Sequence, residues 1–297
     1  MKRRWRCLLR CIGAMALLAR VSGADAQGAP LDGEPTPHTY RRVADAALHA
    51  YVFAPARPAP SRPAVLLFHG GGWTEGAPDW VFDAARRFAA SGMVAIAIEY
   101  RLATDTQTPR DQRDDACAAF RWARDSARTL GLDPTRVAGY GVSAGGQLVG
   151  LLGTRGCADA PGRTPQGGPD AMVLLSPALD LAQDPYFARL LHGPGVVADY
   201  SPLAQQRGRG VPTLIVHGEQ DSLTPAGAVR RFCATQRAAG GRCALQIYPG
   251  VGHLLTRNLA NQMSDYDPDP ALRGAGLAAQ VQFLRTLWRL GPLKRGR

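Results

Sequence analysis

Apolar and polar positions along this chain alternate between two periods, one suited to strands and one to helices. Ala64-Val-Leu-Leu-Phe68, Met93-Val-Ala-Ile-Ala-Ile98, Arg136 to Val142, Ala171 to Leu175, Thr213 to Val216 and Ala244 to Tyr248 are short, nearly continuous apolar runs. Such runs predict strands buried on both faces, as in a parallel sheet. Between them apolar residues recur at helical spacing: around Asp79 to Ser91, from Asp111 to Leu130, and over Ala144 to Leu152, Pro225 to Ala239 and Leu277 to Leu290. Asp114 and Asp115 would open the second of these helices and favour its dipole. Tyr40 to Phe53 alternates loosely and predicts an antiparallel edge hairpin. Prolines between Pro55 and Pro63 then break the chain.

Strands alternating with helices predict an α/β fold, a mostly parallel eight-stranded sheet with helices on both faces. Residues 181–210 are irregular, with Pro185, Pro194 and Pro202, and read as a short cap-like insertion. At the N-terminus, Lys2, Arg3, Arg4 and Arg6 precede an apolar stretch from Cys11 to Ala19 and the small-residue triplet Ala24-Asp25-Ala26. Residues 1–26 therefore read as an export signal, 27–38 as a linker, and 39–297 as one domain. The expected location is periplasmic or secreted; Arg3-Arg4 also admits a twin-arginine signal, with little else in the leader to support it, so the export route stays open. No apolar run reaches the roughly 18 residues that span a bilayer. Cys7 and Cys11 lack the small residue that precedes a lipidated cysteine, so no stable membrane anchor is expected.

The formal charge is +11 over the whole chain, but the leader carries six Lys/Arg and one Asp, so its removal leaves +6. Without a basic stripe interleaved with aromatics, nucleic-acid binding is a poor reading. Four cysteines remain after the leader: Cys117, Cys157, Cys233 and Cys243. Their spacing fits no zinc pattern. In an oxidising compartment the favoured pairing is Cys233 with Cys243 and Cys117 with Cys157, against an alternative of four reduced thiols.

Open α/β sheets bind ligands beyond the carboxyl ends of their strands. The first such end carries His69-Gly70-Gly71-Gly72-Trp73, whose glycines let backbone N–H groups approach a ligand. After the Arg136 to Val142 strand comes Gly141-Val142-Ser143-Ala144-Gly145, the G-x-S-x-G pattern of a serine on a tight strand-to-helix turn. A serine hydroxyl needs a base. His253 follows the last strand and lies C-terminal to Ser143, as the chain order of this pattern requires. His69 and His217, beside strand ends, read as structural. Asp221, between Ser143 and His253, is assigned as the carboxylate that orients the base, ahead of Glu219 and Asp180. Glu99 and Arg101 read as charges tying a strand end to a neighbouring loop.

These stretches, with Glu99-Tyr-Arg-Leu102, Asp133-Pro-Thr-Arg136 and Pro249 to His253, resemble the α/β-hydrolase superfamily. The likeness extends from about residue 40 to the C-terminus. Within the superfamily the chain resembles the esterase and lipase branch with an HGGG-type loop, and looks closest to exported acetyl-esterase and feruloyl-esterase-like members. The resemblance implies that the Gly71, Gly72 and Ala144 amides form an oxyanion hole and that Trp73 lines the substrate pocket. Val142 stands where many hormone-sensitive-lipase-like members carry an acid, and Gln147 where relatives often have His.

The expected chemistry is a serine carboxylesterase acting on small-molecule or carbohydrate esters through an acyl-enzyme, with no cofactor and no metal. The shortness of the cap segment favours short acyl chains. An amidase, formamidase or peptidase would use the same triad. A binding protein that kept the fold is the non-enzymatic alternative. The sequence leaves the oligomeric state open.

Overall fold

In the computed structural model, which describes residues 34–56, 60–157, 167–192 and 197–291, the apolar runs become strands of one sheet. They are β1 (Thr36–Val43), β2 (Ala46–Phe53), β3 (Arg62–Phe68), β4 (Val94–Ile98), β5 (Leu132–Val142), β6 (Ala171–Leu175), β7 (Thr213–Gly218) and β8 (Cys243–Tyr248). The order across the sheet is β1-β2-β4-β3-β5-β6-β7-β8. The β1–β2 hairpin forms the edge and joins β4 antiparallel, while β3 to β8 pair in parallel. The helices are α1 (Phe82–Ala90), α2 (Pro109–Asp125), α3 (Ala127–Leu130), α4 (Ala144–Arg155), α5 (Pro185–Leu190), α6 (Val197–Tyr200), α7 (Ala226–Ala238) and α8 (Pro270–Leu287). The expected leader and cleavage triplet lie outside the described residues.

Strand geometry explains why both faces are covered. Successive side chains point to opposite sides. Ala64, Leu66 and Phe68 of β3 enter a core with Phe120 of α2, Leu148 of α4 and Phe232 of α7. Val65 and Leu67 enter a second core with Phe88 of α1 and Leu284 of α8. Burying each such side chain stabilises the fold by about 1.5–3 kcal/mol. The two disulfides, Cys117–Cys157 and Cys233–Cys243, tie α2 to the chain beyond α4 and α7 to β8. No helix among the described residues is long and apolar enough to cross a membrane.

The structure departs from the sequence expectation at several points, among them the 181–210 segment, which carries α5 and α6 rather than being irregular throughout, and β5, which starts at Leu132 rather than Arg136. β1 begins at Thr36, so residues 36–38 are strand rather than linker, and Pro37 is tolerated because β1 is an edge strand. The helix expected from Asp111 to Leu130 is two helices that meet at Ser126. It starts at Pro109, behind a Thr108 capping box closed by Asp111. Asp115 is therefore no helix opener. It is fully buried and receives Arg41 at 2.6 Å and Arg101 at 2.8 Å, joining β1, the end of β4 and α2. Lastly, α8 starts at Pro270, with Asp269 capping the Ala271 and Leu272 amides. Gly274 and Gly276 obscure its helical period, and Gly276 is there because a Cβ would lie 2.8 Å from the Val216 side chain.

Candidate active site

The turn from β5 into α4 places Ser143 at the carboxyl edge of the sheet. Its φ is 51° and ψ is −113°, in a region that a non-glycine residue occupies only under strain. Neighbouring bonds impose that conformation: the Ser143 amide donates to the Leu175 carbonyl at 3.0 Å, and the Gln147 amide to the Ser143 carbonyl at 3.0 Å. Gly145 is required by close approach, since a Cβ there would lie 2.2 Å from the His69 carbonyl oxygen. The same approach sets the glycine loop beside the serine, and a Cβ on Gly70 would be 3.3 Å from that of Ser143.

Three side chains from separate strand ends converge here. The Ser143 hydroxyl lies 3.0 Å from His253 Nε2, and His253 Nδ1 lies 2.8 Å from Asp221 Oδ2. With Nδ1–H donating to the carboxylate, Nε2 is left to accept from the serine. His253 and Asp221 are buried, whereas Ser143 is half-buried. Asp221 also accepts the Leu223 and Thr224 amides at 3.0 and 2.8 Å and the Thr224 hydroxyl at 2.8 Å. Burial, the largest influence, raises the Asp221 carboxyl. The hydrogen bond from His253, the nearby His253 and His217 rings and the Thr224 amide together outweigh it and hold the group below the ordinary carboxylate value.

The rival acids are engaged elsewhere. Glu219 pairs with Arg230 at 2.6 Å and Asp180 with Arg231 at 2.7 Å, both at the surface. His217 is fully buried, and its Nε2–H donates to the Thr224 carbonyl at 2.7 Å. Burial lowers its pKa against the pull of Asp221, so it stays neutral and supports the Asp221 loop. His69 is likewise buried, and burial lowers its pKa too. Its Nδ1–H donates to the Gly70 carbonyl at 2.6 Å and its ring stacks on Tyr100 at 4.2 Å. Glu99 reaches His49 at 3.0 Å, and Arg101 reaches Asp111 and Asp115.

The glycine loop turns back on itself through Thr74 and Glu75 amides that donate to the Gly71 carbonyl at 3.1 and 3.0 Å. Gly71 has φ 111°, and a Cβ there would lie 2.0 Å from the Glu75 carbonyl oxygen. The Gly71 and Gly72 amides are not used in those turn bonds. Ala144 begins α4, in the turn where helices leave N–H groups without an intrahelical acceptor. Trp73 is held beneath the loop and is 6% exposed. Its indole N–H donates to Gln147 Oε1 at 3.0 Å and its ring meets Phe187 of α5 edge-on at 4.7 Å. Gln147 in turn donates to the Tyr200 carbonyl of α6 at 2.7 Å, so this one buried amide joins elbow, loop and cap.

Two supports were missed in the sequence. Thr224 braces Asp221, and its position three residues on is a local turn signature. Gln262 gave no signal. It is buried, its Oε1 accepts the His253 amide at 2.8 Å and the Ser222 amide at 3.0 Å, and its Nε2 donates to the Gln220 carbonyl at 2.9 Å. It thus fastens the base loop to the acid loop. No group of three or more His, Cys, Asp or Glu among the described residues is placed to hold a metal ion.

This arrangement has counterparts in known proteins. Residues 65–198 match a family model described as alpha/beta hydrolase fold. The chain is 30% identical to esterase LipC of Mycobacterium tuberculosis over 221 residues, covering 67% of this chain and 54% of LipC. It is 29% identical to ethyl acetate hydrolase of Pseudomonas putida, covering 66% of this chain and 67% of that enzyme. Against LipC, then, it spans about half the relative's length. Among solved structures, the apo form of Thermogutta terrifontis esterase 2 superposes with a TM-score of 0.74 at 30% identity, covering 87% of this chain and 97% of the other. Fold, sequence likeness and the placing of the serine turn agree: the chain belongs to the α/β-hydrolase superfamily, in its esterase and lipase branch.

Proposed function

We propose that this protein is a serine carboxylesterase cleaving short-chain, acetyl-like esters. The observation that carries the reading is the continuous relay from Ser143 through His253 to Asp221, with contacts of 3.0 and 2.8 Å. Ser143 attacks the ester carbonyl while His253 takes its proton, and Asp221 orients and stabilises the imidazolium. The Gly71, Gly72 and Ala144 amides hold the oxyanion, each such donor contributing about 2.7–4 kcal/mol to the transition state. His253 then protonates the leaving alcohol, and water repeats the cycle on the acyl-enzyme. No cofactor enters these steps.

The short acyl preference is supported by the cap. Trp73, Phe187, Leu181, Leu191 and Val197 form a small apolar cluster with Ala144, so Trp73 walls the site closely beside the nucleophile. The likeness to an ethyl acetate hydrolase and to a structure of Thermogutta terrifontis esterase 2 with propionate bound supports the same preference. Two disulfides and the expected leader support an oxidising, periplasmic or secreted location.

Hydrolysis of p-nitrophenyl esters from acetate to palmitate, by the mature protein and Ser143→Ala, tests the proposal. The expected result is a maximum at short chains that vanishes in the variant. A maximum at palmitate would overturn the acyl preference. Activity surviving Ser143→Ala would overturn the nucleophile.

A further inference from the structure

After His253 the chain closes a loop over residues 256–269. Thr256 and Pro268 form a bridge across its ends, and the Arg257 amide donates to the Asp267 carbonyl at 2.8 Å. The Arg257 guanidinium grips both carboxylate oxygens of Asp267 at 2.9 and 2.6 Å. Asn258 donates to Asp265 at 2.9 Å, and Gln262 roots the loop from within. Side chains on such a loop are positioned before anything binds, which lowers the ordering cost of binding.

What the loop presents is apolar. Five large hydrophobic side chains are exposed among the described residues, and Leu259, Met263 and Tyr266 of this loop are three of them. Three such groups gathered on one ordered loop make it a candidate binding surface. Tyr266 stands beside the base, its ring centroid 6.4 Å from that of His253.

That position selects one part of the substrate. The base that takes the serine proton must return it to the leaving oxygen, so the alcohol lies within hydrogen-bond reach of His253 Nε2. A ring flanking His253 therefore meets the alcohol. The surroundings disfavour an anionic one, because Arg257 is committed to Asp267 and the charges of Glu75 and Asp221 act on Tyr266. Its partial burial first, then those two charges, push the Tyr266 hydroxyl above its ordinary value.

We propose that the 256–269 loop is the alcohol subsite and that Tyr266, beside His253, selects esters of uncharged aromatic alcohols. This rests on the esterase reading above. A flat ring against Tyr266 gains stacking energy that an alkyl group does not, about three- to tenfold in affinity for the reacting complex.

The test compares kcat/KM for phenyl acetate and ethyl acetate, which share an acyl group, in wild type, Tyr266→Ala and Tyr266→Phe. The variant-to-wild-type ratio cancels the difference in leaving-group reactivity. Tyr266→Ala is expected to lose about three- to tenfold on phenyl acetate and nothing on ethyl acetate, and Tyr266→Phe to retain the wild-type values. Equal losses on both esters, or no loss on either, would overturn the subsite while leaving the esterase intact. A wild type that hydrolyses neither ester and resists a fluorophosphonate probe would overturn the esterase reading, and the subsite with it.

Discussion

Replacing Gln262 with alanine isolates the contribution of a buried residue outside the Ser143, His253 and Asp221 set. Its Oε1 satisfies two backbone amides, His253 at 2.8 Å and Ser222 at 3.0 Å, and its Nε2 satisfies the Gln220 carbonyl at 2.9 Å. A buried donor left without an acceptor costs about 1–3 kcal/mol; the His253 amide is buried and carries that cost, whereas Ser222 is exposed and its amide can turn to water. The chain has a way to relieve it. The turn after His253 already carries Leu254 at φ 54° and Leu255 at φ 63°, and opening that turn lets water reach the His253 amide. Opening also releases His253 from Ser143. The cost therefore falls on catalysis more than on global stability. Displacement of a catalytic group by about 1 Å costs on the order of a hundredfold, and we expect kcat for p-nitrophenyl acetate to fall about ten- to a hundredfold in Gln262→Ala. Loss of about 1 kcal/mol of global stability would lower Tm by roughly 2–4 °C in a chain of this size. Gln262→Glu keeps an acceptor for both amides and should recover much of kcat. The assay is steady-state kinetics beside the rate of fluorophosphonate labelling, with thermal unfolding as control. An alanine variant with a lowered Tm but wild-type kcat and labelling rate would refute the reasoning, because Gln262 would then support only the fold.

Asp221→Asn should lower kcat by about ten-thousandfold with the fold retained, because the amide no longer fixes the imidazole tautomer. The same variant tests the acid limb of stability. Asp221 titrates below its ordinary value of 3.8 in the folded protein, so its contribution is full above that value and is lost as pH falls through the lower folded value. Denaturant unfolding at a series of acidic pH values should show wild type losing more stability than Asp221→Asn across that window, and parallel curves would contradict it. For the disulfides, loop-closure entropy assigns about 4 kcal/mol to Cys117–Cys157, which closes 40 residues, and about 3 kcal/mol to Cys233–Cys243, which closes 10. Paired Cys→Ser variants measured by urea unfolding should rank in that order, and the reverse order would reject the entropic account.

Chain order and local pattern carried much of this molecule. Continuous apolar runs identify strands buried on both faces, because a strand covered on both sides cannot alternate apolar with polar residues. G-x-S-x-G marks Ser143 because the sharp turn tolerates only small neighbours, and the order Ser, Asp, His then points to His253 and to an acid between the two; that order admits Asp180 and Glu219 as well as Asp221, and the ion pairs of the two rivals with Arg231 and Arg230 are visible only in three dimensions. The departures are equally particular. Asp115 looks like an exposed helix opener until Arg41 and Arg101 arrive from β1 and the end of β4. α8 looks as if it starts seven residues later until Val216 explains Gly276. Trp73 is expected at the pocket, but nothing local shows that Gln147 and Phe187 fix its ring. Gln262 has no local signature, because its meaning lies in two amides from other turns. Sequence alone determined what depends on short-range periodicity and steric rules within a few residues, namely the strands, most helices and the serine turn, and it named the residues proposed as the triad. Tertiary structure decided which charges are buried and paired, how the base loop is fastened and which apolar groups face the site, because those depend on contacts between segments that the chain itself keeps far apart.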